Sequence, residues 1–191
     1  MWVIKQNAQI ELFSPGIVFF DPTVLSSFIK YNGVTDANVF ERFIQSESLG
    51  RSAIEQGVVC PLYQISEQDY SIFIECVNGA EYELPVPKFS YSGFPLKVES
   101  GVLIVSDLNA LFEWDDDFFL NYKANYDSRL PSNDFLEVES GVYNLTINGY
   151  VGLRKPLSNC GYGLRLQTVD SLPGVSEDAS VDDVSFELAG W

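Results

Sequence analysis

The chain has 191 residues and a formal net charge of −16, from 27 acidic and 11 basic side chains. Apolar residues make up 46% of the sequence, which is enough for a hydrophobic core and argues against disorder of the whole chain. The excess of carboxylates repels phosphates, so direct binding of DNA, RNA or anionic lipid headgroups is disfavoured. The same charge attracts basic partners; the alternative is that it only keeps the protein in solution.

The first residues lack the basic stretch and apolar run of a secretory signal. No run approaches the roughly 18 apolar residues that a membrane span needs, so we expect a cytoplasmic protein. The three cysteines, Cys60, Cys76 and Cys160, are an odd number without metal-ligand spacing. They predict reduced, mostly buried thiols, with a Cys60–Cys76 disulfide as the alternative in an oxidising compartment.

The N-terminal part predicts two strands followed by helices. Residues 2–13 and 16–20 are the predicted strands, and the second is a continuous apolar run typical of a buried strand. Asp21 before Pro22 is a helix start, because aspartate caps the first amides and proline fits the first helical position. Apolar residues then recur at helical spacing, so the helical part is predicted to span residues 21–57. Two glycine signals end helices there, Asn32-Gly33 and Gly57.

From Val58 onward the apolar period changes to two, which is typical of strands. Residues 58–65 form one predicted strand. Asn78-Gly79 lies between alternating runs and predicts a hairpin with strands near 69–77 and 80–86, because both turn residues must accept positive φ.

A partial repeat follows. The segment LKVESGV at 96–102 recurs as LEVESGV at 136–142, an offset of 40 residues. Each copy predicts strand, glycine turn, strand. We interpret the pair as equivalent hairpins in one sheet, with chance as the alternative. Residues 161–169 predict a further strand.

After Arg165 the sequence contains no lysine or arginine. Residues 173–183 predict an exposed acidic loop. Residues 184–188 alternate between apolar and polar, which predicts that the chain returns as an edge strand.

These elements predict a single α+β domain with a mostly antiparallel sheet and two or three N-terminal helices packed on one face. Its parts are the helical part 21–57, the β-rich part 58–169 and the acidic C-terminal segment 170–191.

The sequence contains no histidine. This removes Ser-His and Cys-His nucleophile activation and every histidine-containing zinc site. The phosphate-binding and nucleophile-elbow motifs are also missing. Paired carboxylates could still serve a glycosidase, but 27 acids single out no pair. We therefore predict a protein that is not an enzyme, with no catalytic, cofactor-binding or metal-ligating residues and no cofactor.

The segment 111–122 carries the most pointed pattern, because aromatic side chains next to charges are typical of binding hot spots. It predicts a partner-binding surface. A calcium loop spreads its ligands over alternate positions around a glycine, which three consecutive acids do not match. The alternative is structural: Asp115 or Asp116 caps a helix whose aromatic residues Phe119, Tyr122 and Tyr126 belong to the core. The predicted partner-binding residues are Glu113, Trp114, Asp115, Asp116 and Asp117.

Two stretches carry a family resemblance. Residues 14–22 (SPGIVFFDP) combine a glycine turn, an apolar strand and Asp-Pro, and residues 138–147 (VESGVYNLTI) form a later glycine-led strand. Together they resemble small bacterial α+β proteins that look like immunity proteins of polymorphic toxin systems. The resemblance implies an acidic, non-catalytic protein that neutralises a basic partner, a bacterial toxin above all. The alternatives are a DNA-mimic inhibitor of a nucleic-acid-binding enzyme and an accessory or structural protein.

Overall fold

Two β-sheets, instead of the single sheet that the sequence predicts, form the frame of the protein. The computed structural model describes residues 5–75, 83–175 and 184–190, and strands and helices are numbered in chain order. Sheet A has the strand order β1 (Asn7–Glu11), β4 (Asp69–Ile74), β9 (Cys160–Thr168), β8 (Gly141–Val151), β5 (Phe89–Val98). Sheet B has the order β3 (Cys60–Tyr63), β2 (Gly16–Phe20), β6 (Val102–Asp107), β7 (Asn133–Glu137). Neighbouring strands are antiparallel except β4 and β9, which confirms an α+β fold with mostly antiparallel pairing.

The helices fall into two groups. The first confirms the predicted helical part and comprises α1 (Pro22–Tyr31), α2 (Val39–Gln45) and α3 (Glu47–Glu55). The second connects β6 to β7 and comprises α4 (Asn109–Phe112), α5 (Asp116–Leu120), α6 (Tyr122–Asn125) and a 3-10 turn (Tyr126–Ser128). Gly33 and Gly57, which follow α1 and α3, have φ values of 65° and 68°, so the glycine stop signals are confirmed.

Sheet B is buried on both faces, and β2 shows why the chain needs two sheets. Ile17 and Phe19 pack into the core between the sheets, whereas Val18 and Phe20 pack into a second core under the helices. A strand that is apolar on both faces has to be covered twice. The layers are therefore sheet A, sheet B and helices.

The two repeated segments are corners at which the chain passes between the sheets, and the expectation of hairpins within one sheet is wrong. The first copy leads from β5 in sheet A to β6 in sheet B, and the second leads from β7 back to β8. The corners lie side by side because β5 pairs with β8 and β6 pairs with β7. The Ser140 hydroxyl donates to the Val98 carbonyl oxygen at 3.1 Å and ties them together. Strands that change sheets make the corners of sandwiches.

The edge strands β1 and β7 close one side of the sandwich through side chains. The backbone amide of Gln9 donates to Asp134 Oδ2 at 2.9 Å, and that of Lys5 donates to Glu137 Oε2 at 2.8 Å. The Lys5 ammonium pairs with Asp134 Oδ1 at 2.9 Å. Carboxylates thus satisfy amides that an open sheet edge would leave exposed.

The predicted Asn78-Gly79 turn lies outside the described residues, but the strands around it can be compared with the structure. Residues 70–73 of β4 pair with β1 on one side and with β9 on the other. Among the described residues, 83–87 form no strand. The predicted pairing of residues 83–86 with β4 is wrong, because β1 and β9 take both edges of residues 70–73.

The C-terminal segment 184–190 packs into the core without forming the predicted edge strand. Phe186 and Leu188 are fully buried between the sheets. The Phe186 ring lies 5.8 Å from the Tyr91 ring, and its carbonyl oxygen accepts from the Tyr162 hydroxyl at 2.8 Å. The alternation of apolar and polar residues in 184–188 therefore reflects side chains that point into the core, and not pairing with a neighbouring strand. Residues 176–183 of the predicted acidic loop lie outside the described residues.

Cys60 and Cys160 are buried free thiols, and burial raises the pKa of Cys60 to about 12. Cys76 lies outside the described residues. Among the described helices, none combines the length and the apolar character needed to cross a membrane.

Asp21 connects the helix layer to the first corner. Its Oδ1 accepts from the amides of Thr23 and Val24 at 2.8 and 3.1 Å, which confirms the predicted cap. Its Oδ2 accepts from the amides of Glu99 and Ser100 at 2.8 and 2.7 Å and from the Ser100 hydroxyl at 2.8 Å. The residue is 0% exposed, so five donors depend on one buried carboxylate.

We expect Asp21→Ala to lower the free energy of unfolding by about 3 kcal/mol or more, because it removes a helix cap and leaves corner amides unsatisfied. Urea denaturation measures the loss. Asp36→Asn, at an exposed position, is the control and should stay within about 0.5 kcal/mol of the wild type. Equal stabilities of the two variants would contradict the role of Asp21.

Candidate functional site

The acidic segment, residues 113–117, joins α4 to α5 on the surface of the helix layer. Asp115 is the N-cap of α5, and its Oδ1 accepts from the Phe118 amide at 3.0 Å. Glu113, Asp115 and Asp117 are exposed, whereas Trp114 and Asp116 are half-buried. The predicted helix cap is therefore confirmed. The partner-binding role of the five residues stays a prediction.

Trp114 fixes the acidic segment to the core. Its ring stacks on Phe119 at 5.0 Å with an interplanar angle of 8°, and it meets Phe20 edge-on at 5.7 Å. Its backbone amide donates to the Ala37 carbonyl oxygen at 2.9 Å. Its indole N–H has no acceptor within hydrogen-bond distance among the described residues, although it lies close enough to Asp116 to favour the charged carboxylate. Aromatic pairs in this geometry stabilise a fold by more than the burial of their surface alone provides. Trp114 therefore attaches the acidic segment to the core.

Asp116 points back to α1 and differs in this from the exposed acids. Its Oδ2 pairs with the Lys30 ammonium at 2.7 Å, and its Oδ1 accepts from the Ser26 hydroxyl. Partial burial works to raise the pKa of Asp116, but the hydrogen bonds from Lys30 and Ser26 outweigh it and hold the pKa below its usual value. Asp116 is thus ionised and neutralised within the protein.

The negative charge of the connection from β6 to β7 comes from the acidic segment. Residues 108–132 carry five acids, four of them in that segment, and two bases, Lys123 and Arg129. Lys123 pairs with Glu137, and Asp116 pairs with Lys30. No ion pair involves Glu113, Asp115 or Asp117 within the residues that the structure describes. This surface therefore presents uncompensated negative charge.

Sheet A gives the opposite face of the molecule a different character. Its five strands contain two acids, Glu11 and Asp69, and two bases, Lys97 and Arg165. The charge of these strands therefore sums to zero, whereas the acidic segment carries four acids and no base.

Two further carboxylates outside the acidic segment, Glu75 and Asp107, accept hydrogen bonds within the fold. Glu75 accepts from the Asn148 amide at 2.9 Å, the Tyr150 hydroxyl at 2.6 Å and Arg165 Nε at 2.6 Å. Asp107, whose pKa burial raises, accepts from the backbone and side-chain amides of Asn109 at 3.1 and 2.8 Å. All four carboxylate oxygens have donors. Within the described ranges, no group of three or more cysteine, aspartate or glutamate side chains is placed to hold a metal ion.

The sequence matches no known family model and no curated protein. Among solved structures, the chain is similar to ComJ from Bacillus subtilis, an inhibitor of the DNA-degrading activity of NucA. The TM-score is 0.45 at 9% identity, over 88% of this chain and 100% of ComJ. It is also similar to the product of crocagin biosynthetic gene J, with a TM-score of 0.44 at 13% identity, over 84% of this chain and 95% of that chain. Both likenesses are loose.

We expect Trp114→Ala to lower the free energy of unfolding on the order of 3 kcal/mol, because it removes the ring that packs between Phe20 and Phe119. Trp114→Phe keeps an aromatic ring and should retain most of the stability. Chemical denaturation of both variants tests the packing. Unchanged stability of the alanine variant would contradict a structural role.

The Lys30–Asp116 pair predicts a pH dependence of stability. A carboxylate whose pKa is lower in the folded state stabilises the protein above its unfolded-state pKa of about 4, and this contribution is lost as the pH falls through the folded-state pKa. Lys30→Met should therefore be less stable than the wild type at pH 7, and the difference should shrink towards pH 2. Denaturation curves at both pH values measure it, with Lys155→Met as the control, at an exposed position without an ion pair among the described residues. A difference that is constant with pH would contradict the ion pair.

Proposed function

We propose that this protein is a non-catalytic binding protein that neutralises a basic protein partner. The partner class is a bacterial toxin, and the role is that of an immunity protein. The proposed partner-binding segment consists of Glu113, Trp114, Asp115, Asp116 and Asp117. The exposed acids make the charged contacts, and Trp114 and Asp116 hold them in place.

The observation that carries the proposal is the negative charge of Glu113, Asp115 and Asp117, which no ion pair among the described residues compensates, on a segment held against the core by Trp114 and Asp116. An isolated surface acid is usually a solubility feature. Here three exposed acids stand within five residues on a segment that an aromatic stack and an ion pair fix to the core. A preorganised group of like charges loses little conformational freedom when an opposite charge binds.

Charge complementarity would act mainly on the rate of encounter. A negative surface attracts a basic partner over about a Debye length, close to 10 Å at 0.1 M salt, and raises the association rate. Slow dissociation needs close packing in addition. The neutral strands of sheet A offer no such attraction, so the helix layer is the side on which we place the partner.

The non-catalytic part of the proposal rests on chemistry. Without histidine, an acid–base role would fall to carboxylates, and the buried Glu75 and Asp107 already accept hydrogen bonds on every oxygen. Their place in the fold explains their burial. The buried free thiols Cys60 and Cys160 are in keeping with a reducing compartment such as the cytoplasm.

The test compares two variants of equal net charge. The first carries Glu113→Gln, Asp115→Asn and Asp117→Asn, and asparagine preserves the cap at position 115. The control carries Glu47→Gln, Glu67→Gln and Asp170→Asn, three exposed acids elsewhere. Each protein is used for quantitative affinity capture from the source cells, and association rates of the captured partner are measured at low and high salt.

We expect the first variant to capture less of a basic partner and to associate more slowly, by about tenfold at low salt. The control should resemble the wild type. Equal losses in both variants would reduce the effect to total charge, and unaltered association of the first variant would remove the acidic segment from the interface.

A further inference from the structure

A pocket of about 200 Å³ opens beside the acidic segment, between the start of α1, the first corner and the helices α5 and α6. We call it the α5 pocket. It is built from three segments that are far apart in the sequence. Its lining includes Pro22, Val102, Phe119, Leu120, Tyr122 and Ala124.

The lining of the α5 pocket is mostly apolar, with polar side chains from Ser100, Asn121 and Lys123. Phe119 and Tyr122 are 4% and 2% exposed and form its base, whereas Leu120, at 41% exposed, stands at the mouth. The Lys123 ammonium pairs with Glu137 and lies 5.6 Å from the centre of the Phe135 ring. A cation inside the pocket would meet this ammonium, so the pocket suits an uncharged apolar or aromatic group.

One of the exposed acids, Asp117, lies next to the pocket. Leu120 and Asn121 follow it by three and four residues, at the end of α5, and therefore lie on the same helix face. The Asn121 side-chain amide donates to the Asp117 carbonyl oxygen at 2.9 Å and keeps this turn closed. A group that enters the pocket therefore brings its flanking residues next to negative charge.

We propose that the α5 pocket receives an aromatic or aliphatic side chain of the basic partner, flanked in that partner by lysine or arginine. The inference rests on the proposed function and adds to it the apolar contact that slows dissociation of the partner. The apolar side chain comes from the partner, because Trp114 is committed to the core of this protein. The flanking cations meet Asp117, which selects a basic segment over an acidic one.

Blocked tripeptides serve as probes of the wild-type protein: Lys-Trp-Lys, Lys-Ala-Lys and Glu-Trp-Glu. Binding is followed by the NMR signals of the Val102 and Leu120 methyl groups. We expect Lys-Trp-Lys to shift these signals, and the other two peptides to shift them at least about tenfold less at equal concentration, since each lacks the ring or the charge. Equal shifts with Lys-Trp-Lys and Lys-Ala-Lys, or no shift at these methyl groups, would overturn the proposal.

A substitution that fills the pocket, compared with the same substitution elsewhere on the surface, gives a second test. Ala124→Phe places a ring at the mouth without removing a buried contact, and Ala189→Phe adds the same ring at an exposed position in the C-terminal segment. Both should keep the wild-type melting temperature. Ala124→Phe should abolish the Lys-Trp-Lys shifts and lower partner affinity by about tenfold or more, whereas Ala189→Phe should do neither.

The two proposals fail separately. If Ala124→Phe binds the captured partner like the wild type while the triple carboxylate variant associates slowly, the pocket is overturned and the acidic interface stands. If the triple variant is unaffected while Ala124→Phe loses affinity, the pocket still receives the apolar side chain, whereas the acidic interface and the selection of flanking cations are overturned.

Discussion

The five hydrogen bonds that converge on the buried Asp21 carboxylate determine where the helix layer sits. One oxygen caps α1, and the other takes the amides of the first corner. With its start fixed, α1 presents Ser26 and Lys30 to Asp116. Asp116 in turn positions α5. Pro22, which follows Asp21, and Val102, which follows the first corner, both line the α5 pocket. The candidate surface therefore depends on a residue that is not part of it.

Local signals in the sequence predict local structure well in this chain. Asp21-Pro22 predicts the start of α1, and Gly33 and Gly57 predict helix ends, because each depends on the geometry of a few neighbouring residues. The continuous apolar run of β2 predicts a strand buried on both faces. It does not reveal that the two faces belong to two different cores.

Pairing between distant segments could not be predicted in the same way. The alternation before Asn78 predicts a strand, and β4 is one, but the choice of β1 and β9 as its neighbours is made by packing across most of the chain. The repeated segments show the same limit. Their common sequence predicts a common local shape, and only the second sheet explains that this shape is a corner.

The acidic segment had two competing interpretations, a binding surface or a capped helix on an aromatic core. The structure combines the helix cap and the core packing with exposed charge. Asp115 caps α5 and Trp114 packs inward, whereas Glu113 and Asp117 remain exposed without an ion pair among the described residues. The α5 pocket had no signal in the sequence, since three separate segments form it.

Hydrogen exchange of the complex with the captured partner tests the account most directly. Amides protected by binding mark the interface, because contact suppresses the local openings that allow exchange. The account predicts protection in residues 109–125 and at the first corner, 99–102, with the strands of sheet A unchanged. Protection confined to the strands of sheet A, with no change in α5 and α6, would contradict it.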